Sequence, residues 1–91
     1  MCVYVLISVW DNPENSGFDV IGVYSKGSLW IARATMRSEA AKVREEYGKD
    51  FVWSSDFSEE TEDLIRFGFD PMYGYTCATV YEWRIEKRVL N

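Results

Sequence analysis

Val3-Tyr4-Val5-Leu6-Ile7-Ser8-Val9-Trp10 is the stretch whose reading decides the fold. Seven of its eight residues are apolar or aromatic, four are β-branched, and neither Gly nor Pro interrupts them. So short and so β-branched a run reads as a strand. Alternation places Val3, Val5, Ile7 and Val9 on one side and Tyr4, Leu6 and Trp10 on the other. Both sides ask for cover, so the strand is a central one.

Working outward, Asp11-Asn12-Pro13-Glu14-Asn15-Ser16-Gly17 is a cluster of turn formers. It leads into a second strand over residues 18–24, and antiparallel pairing of the two makes a hairpin. Simple alternation puts Phe18, Val20 and Tyr24 on one face of this strand and Ile21 and Val23 on the other. Gly22 marks either a bulge or a close approach of the helix backbone. Ser25 or Ser28 then caps a helix over residues 28–47, with Gly48 as its stop. Leu29, Ala32, Met36, Ala40, Val43 and Tyr47 recur at spacings of three and four and form its apolar stripe. Trp30 and Ile31 lie off that stripe, where they cover the sheet edge or face a partner. The helix is expected on the Val3, Val5, Ile7, Val9 side of the first strand. Tyr4, Leu6, Trp10, Phe18, Val20 and Tyr24 would then form a second apolar face, too large to leave in water.

Farther along, Phe51-Val52-Trp53 suggests a short strand. Ser58, followed by Glu59, Glu60, Glu62 and Asp63, resembles a helix N-terminus with acids complementing the positive end of the dipole. Leu64, Ile65 and Phe67 supply its apolar side and Gly68 its stop. Phe69-Asp70-Pro71-Met72-Tyr73-Gly74 reads as an aromatic loop. The last element alternates longest: Cys77, Thr79, Tyr81, Trp83, Ile85 and Val89 on one face, Glu82, Arg84, Glu86 and Arg88 on the other. Period two over this length predicts a strand with one buried and one solvated face. The expected fold is α+β: a single domain over 1–91, its antiparallel sheet of three or four strands carrying one long helix on one face, with a short second helix.

Ninety-one residues, 47% of them hydrophobic, suffice for one globular domain with a thin core. The net charge of −5 disfavours direct binding to nucleic acid. No apolar run is long enough to span a membrane. The start of the chain lacks the pattern of a secretory signal, and there are only two cysteines, Cys2 and Cys77. Both features suggest a cytoplasmic protein with two buried thiols, although a Cys2–Cys77 disulfide stays open.

The sequence contains no histidine, which removes the commonest general base, the Ser-His and Cys-His pairs and most zinc sites. None of the glycine-rich phosphate loops or nucleophile elbows occurs. No catalytic residue, cofactor or metal is expected. The acids at 59–63 would be the one place to gather a cation, and a helix start explains them more simply.

Charge distribution is more informative. Between residues 45 and 70 nine acidic residues are opposed only by Lys49 and Arg66, a local charge of −7, whereas the remainder of the chain carries +2. Charge segregated this way steers a basic partner. Beside it lie Phe67, Phe69, Tyr73 and Tyr75, either a flap over the sheet or the anchors of an interface. The expected partner-binding set is Asp56, Glu59, Glu60, Glu62, Asp63, Phe67, Phe69, Asp70 and Tyr73.

The residues Val3-Tyr4-Val5-Leu6, then Ile21-Gly22-Val23-Tyr24-Ser25 entering an Ala-rich helix, then Val80-Tyr81-Glu82 in a late strand, resemble a small bacterial and phage domain family. Its pattern is YVL, IGVYSS, a helix and a closing strand. The resemblance covers mainly residues 3–47 and departs at Lys26-Gly27-Ser28-Leu29-Trp30 and in the 51–75 insertion. It implies a β-β-α-β arrangement and a phage or mobile-element origin, and it carries over no functional residue. The expected function is therefore a non-enzymatic protein-interaction module, an acidic inhibitor of a basic nucleic-acid-handling protein. The alternatives are a structural homodimer that buries the hairpin's second face, and a small carboxylate-based hydrolase or ligand-binding domain.

Overall fold

A computed structural model of the chain describes residues 1–11, 16–47, 52–70 and 79–89, with the backbone alone at 47, 52–57 and 69–70. The elements follow in the order β1 (Cys2–Asp11), β2 (Ser16–Tyr24), a 3-10 turn (Lys26–Ser28), α1 (Leu29–Tyr47), β3 (Val52–Glu60), β4 (Leu64–Asp70) and β5 (Thr79–Val89). All strand pairings are antiparallel, in the spatial order β2-β1-β5-β4-β3. The helix therefore carries the chain from one edge of the sheet to the other. It packs against β2, β1, β5 and β4.

The first hairpin forms as expected, and β1 is an interior strand flanked by β2 and β5. The middle position belongs to β5. Ser25 precedes the 3-10 turn in extended backbone, and its carbonyl accepts the Ser28 N–H at 3.0 Å; its hydroxyl makes no capping bond. Of the helical stripe, Ala32, Met36 and Ala40 are fully buried and Val43 packs beside them. Trp30 and Ile31 are exposed.

The expectation of three or four strands and a second helix is overturned. Among the described residues the sheet has five strands and the chain one α-helix, and residues 58–68 form the end of β3, a tight turn and most of β4. The acids read as a helix start belong to that turn instead. Thr61 donates its N–H to the Leu64 carbonyl at 2.7 Å, and the Asp63 N–H reaches the Thr61 hydroxyl at 3.3 Å. Leu64-Ile65-Arg66-Phe67 satisfies period two as well as a helical spacing, and burial decides between them. Ile65 and Phe67 are buried against Trp83 and Tyr81 while Arg66 points the other way, toward Glu59 and Glu82. The chain thus runs β-β-α-β-β-β, longer than the β-β-α-β that the resemblance implies.

The core lies between α1 and one face of the sheet: Leu6, Met36, Ala40, Ile65, Phe67 and Trp83, with Ile21, Tyr24, Val43, Tyr81 and Ile85 around them. Each large side chain removed from water here contributes about 1.5–3 kcal/mol. The Phe67 ring centroid is 5.4 Å from that of Trp83 and 6.1 Å from that of Tyr81, within the range of favourable tilted contacts. The Arg44 guanidinium caps the Phe67 ring from the helix, 4.5 Å above its centroid.

The face of β1 that the helix covers is the opposite of the expected one. Leu6, not Val5 or Ile7, meets Met36 and Ala40. The register between β1 and β5 explains why. Leu6 pairs with Ile85 and Ser8 with Trp83, whereas Val5 pairs with Glu86 and Ile7 with Arg84. A helix on the valine side would lie on the charged residues of β5 and strip them of water, which is costlier than leaving valines half-exposed. In β2 the register slips between Leu6 and Ile7, leaving Ile21 unpaired beside Gly22. This bulge returns Ile21 to the helix side and puts Phe18, Val20 and Val23 together on the other. A Cβ on Gly22 would stand 2.8 Å from the Tyr24 hydroxyl oxygen, and one on Gly17 2.5 Å from the Trp10 ring, so both glycines bed an aromatic ring.

Candidate functional site

The acidic segment expected to bind a partner is spread out by its extended conformation. Glu59, Glu60, Glu62 and Asp63 gather at the β3–β4 turn, whereas Asp70 pairs with Val52 at the far end of β4. At about 3.3 Å per residue that separation is on the order of 20 Å. Asp56 falls in the irregular part of β3 between Ser54 and Glu59. The side chains of Asp56, Phe69 and Asp70, and the whole of Tyr73, Tyr75 and Cys77, lie outside the described residues. Phe67 is 1% exposed at the centre of the core and presents nothing to a partner.

The turn acids are also partly compensated from within. Arg33 of α1 donates from Nε to Asp63 Oδ1 at 2.9 Å and lies 3.5 Å from Glu62. The hydrogen bond to Asp63 holds the Arg33 guanidinium above its ordinary value. Asp63 in turn accepts the Ile85 N–H on its carbonyl at 2.9 Å, so this contact ties helix, turn and β5 together. Arg66 bonds Glu59 at 2.9 Å. Arg33→Gln is expected to lower the urea midpoint slightly at low salt, with the difference from the unsubstituted chain fading at about 0.5 M salt, because exposed pairs are weak and screened. A difference that persisted in salt would assign the effect to the packing of the arginine stem instead.

The other face of the sheet carries no helix among the described residues. Its pattern follows from the registers. Down β1 run Val9, Ile7, Val5 and Val3, flanked on β2 by Phe18, Val20 and Val23. Phe18, Val20 and Val23 are 71%, 50% and 61% exposed. On the other flank β5 presents Glu82, Arg84, Glu86 and Arg88, in alternating sign. Arg84 bonds Glu86 at 2.8 Å and Glu82 at 3.1 Å, Arg88 pairs with Glu86, and Arg66 approaches Glu82 at 3.7 Å. Between the two halves lies an open depression bounded by Ile7, Val9, Phe18, Arg84, Glu86 and Arg88. This is an apolar block beside a continuous charge ladder. Periodicity alone makes the ladder a solvated face and puts the valines under the helix. The signal for the site lies in the shared register of those two strands.

Among the described residues, no three of Cys, Asp and Glu come together as a metal site. No helix among them is long and apolar enough to cross a membrane. Cys2 is a free, half-buried thiol. No protein-family model matches the chain, and no curated protein and no solved structure matches it either.

Proposed function

We propose that this chain is a protein-interaction module that works through the helix-free face of its sheet. The observation that carries the reading is the block Val3, Val5, Val9, Phe18, Val20 and Val23 around Ile7, itself only 9% exposed, assembled on one surface without an element of the chain over it among the described residues. Apolar surface of this extent, rimmed by polar groups, marks interaction sites in monomeric proteins. The rim is the ladder on β4 and β5, and charged residues at the margin of an apolar centre are the usual anatomy of an interface. The acidic turn contributes less, because a basic partner there competes with Arg33 and Arg66.

A photo-cross-linking residue placed at Val20 or Val23 in the cells that express the chain is expected to give covalent adducts with protein, its own copies included. The same residue at exposed Trp30, on the far side of the helix, is expected to give none. Identical adducts from both faces, or none from Val20, would overturn the reading.

A further inference from the structure

We infer that the occupant of the open face is a second copy of this chain, packed face to face with its strands antiparallel to those of the first. The inference rests on the open face being the working surface. Its support is the order of charges on β5: Glu82, Arg84, Glu86, Arg88, all pointing to the same side. An alternating row with an even number of members is complementary to its own reverse. A two-fold axis in the plane between two such sheets, level with the Leu6–Ile85 pair, lays the row over its reversed copy. Glu82 then faces Arg88 of the copy, and Arg84 faces its Glu86. Every contact joins opposite signs, and the same holds from the other side.

The same operation lays Val9, Ile7, Val5 and Val3 over Val3, Val5, Ile7 and Val9 of the copy, apolar on apolar throughout. Phe18, level with Val9, comes over the Val3 end. Rotating the copy by half a turn about the sheet normal would put valines over the charge row, which is why the antiparallel arrangement is selected. The row itself is neutral in a chain of net charge −5, so contact through it adds no repulsion of its own between the two copies.

Three strands about 14 Å wide and about 30 Å long present on the order of 600 Å² once side-chain relief is counted, near the ~800 Å² per partner of a standard interface. Sheets packed this way stand about 10 Å apart, with their strands within about 30° of one another.

Sedimentation of the full chain over a concentration series tests the inference. The unsubstituted chain is expected to dimerise. Arg84→Glu sets a new carboxylate against Glu86 of the copy twice, and Glu86→Arg sets two arginines together twice. Each single change is expected to weaken dimerisation about tenfold or more. The two changes combined exchange the charges and restore opposite signs at all four contacts, so dimerisation is expected to return. Mixed with the unsubstituted chain, however, the double variant meets like charges at two of the four contacts, so the mixed dimer is expected to be weaker than either parent dimer by about tenfold or more. Phe18→Ser, at an exposed position, is expected to dissociate the dimer while leaving the monomer folded. A chain that stays monomeric at several hundred micromolar would overturn the second-copy inference, and so would single variants that dimerise as well as the parent. If Val20 then cross-linked to a different protein, the interaction module would stand with another occupant. If it cross-linked to nothing, both readings would fall.

Discussion

Phe67→Ala is expected to remove about 3–5 kcal/mol of folding stability, the loss typical of an aromatic truncated in a close-packed core. The ring is 1% exposed and sits where three elements meet: Trp83 and Tyr81 of β5 beside it, Ile65 of its own strand, and Arg44 of α1 above. A chain of 91 residues has roughly 5–14 kcal/mol in total, so the loss is at least about a fifth of it. Urea unfolding followed by far-UV circular dichroism measures this directly. Phe67→Leu, which keeps most of the volume, is expected to recover more than half of the loss. A loss below about 1 kcal/mol for the alanine variant would mean that Phe67 is not in the core, as a surface anchor would be, and the β4 assignment would fail with it.

The second large effect tests which face of β1 the helix covers. Leu6→Ala is expected to cost about 2–5 kcal/mol, because Leu6 is fully buried under Met36 and Ala40 and the gap cannot collapse against two helix side chains already held in place. Val23→Ala is expected to change stability by no more than about 0.5 kcal/mol at sub-micromolar protein, where the open face is solvated. The arrangement expected from alternation alone gives the reverse for Leu6. Calorimetric or urea midpoints of the two variants therefore separate the two packings. Comparable losses at both positions would show that the open face is covered within one chain.

Much of the fold is legible in the residues alone. The β1–β2 hairpin, the helix stripe of Ala32, Met36, Ala40 and Val43, and the buried and charged sides of β5 all follow from local periodicity. The second helix fails for a definable reason. Glu59, Glu60, Glu62 and Asp63 before Leu64, Ile65 and Phe67 satisfy the rules for a helix start, and so short an apolar run cannot separate period 3.6 from period two. A partner strand resolves the ambiguity: β5 pairs with residues 64–69 and rewards only the extended form. The candidate site is less legible than the fold. Acids adjacent in sequence invite a patch, yet Arg33, thirty positions away from Asp63, neutralises part of it. No local reading connects those two residues.

The same division applies to the stretch 3–10. The sequence by itself determined that it is an interior strand with two apolar sides, because alternation and β-branching are local properties of the chain. Which side becomes core and which becomes surface was decided only in the tertiary structure. The register against β5 sets Val3, Val5, Ile7 and Val9 beside a row of charges, and the bulge at Ile21 adds Phe18, Val20 and Val23 to them. The helix goes where no charge has to be buried, to the side of Tyr4, Leu6 and Trp10. What it leaves behind is the surface on which the proposed function rests.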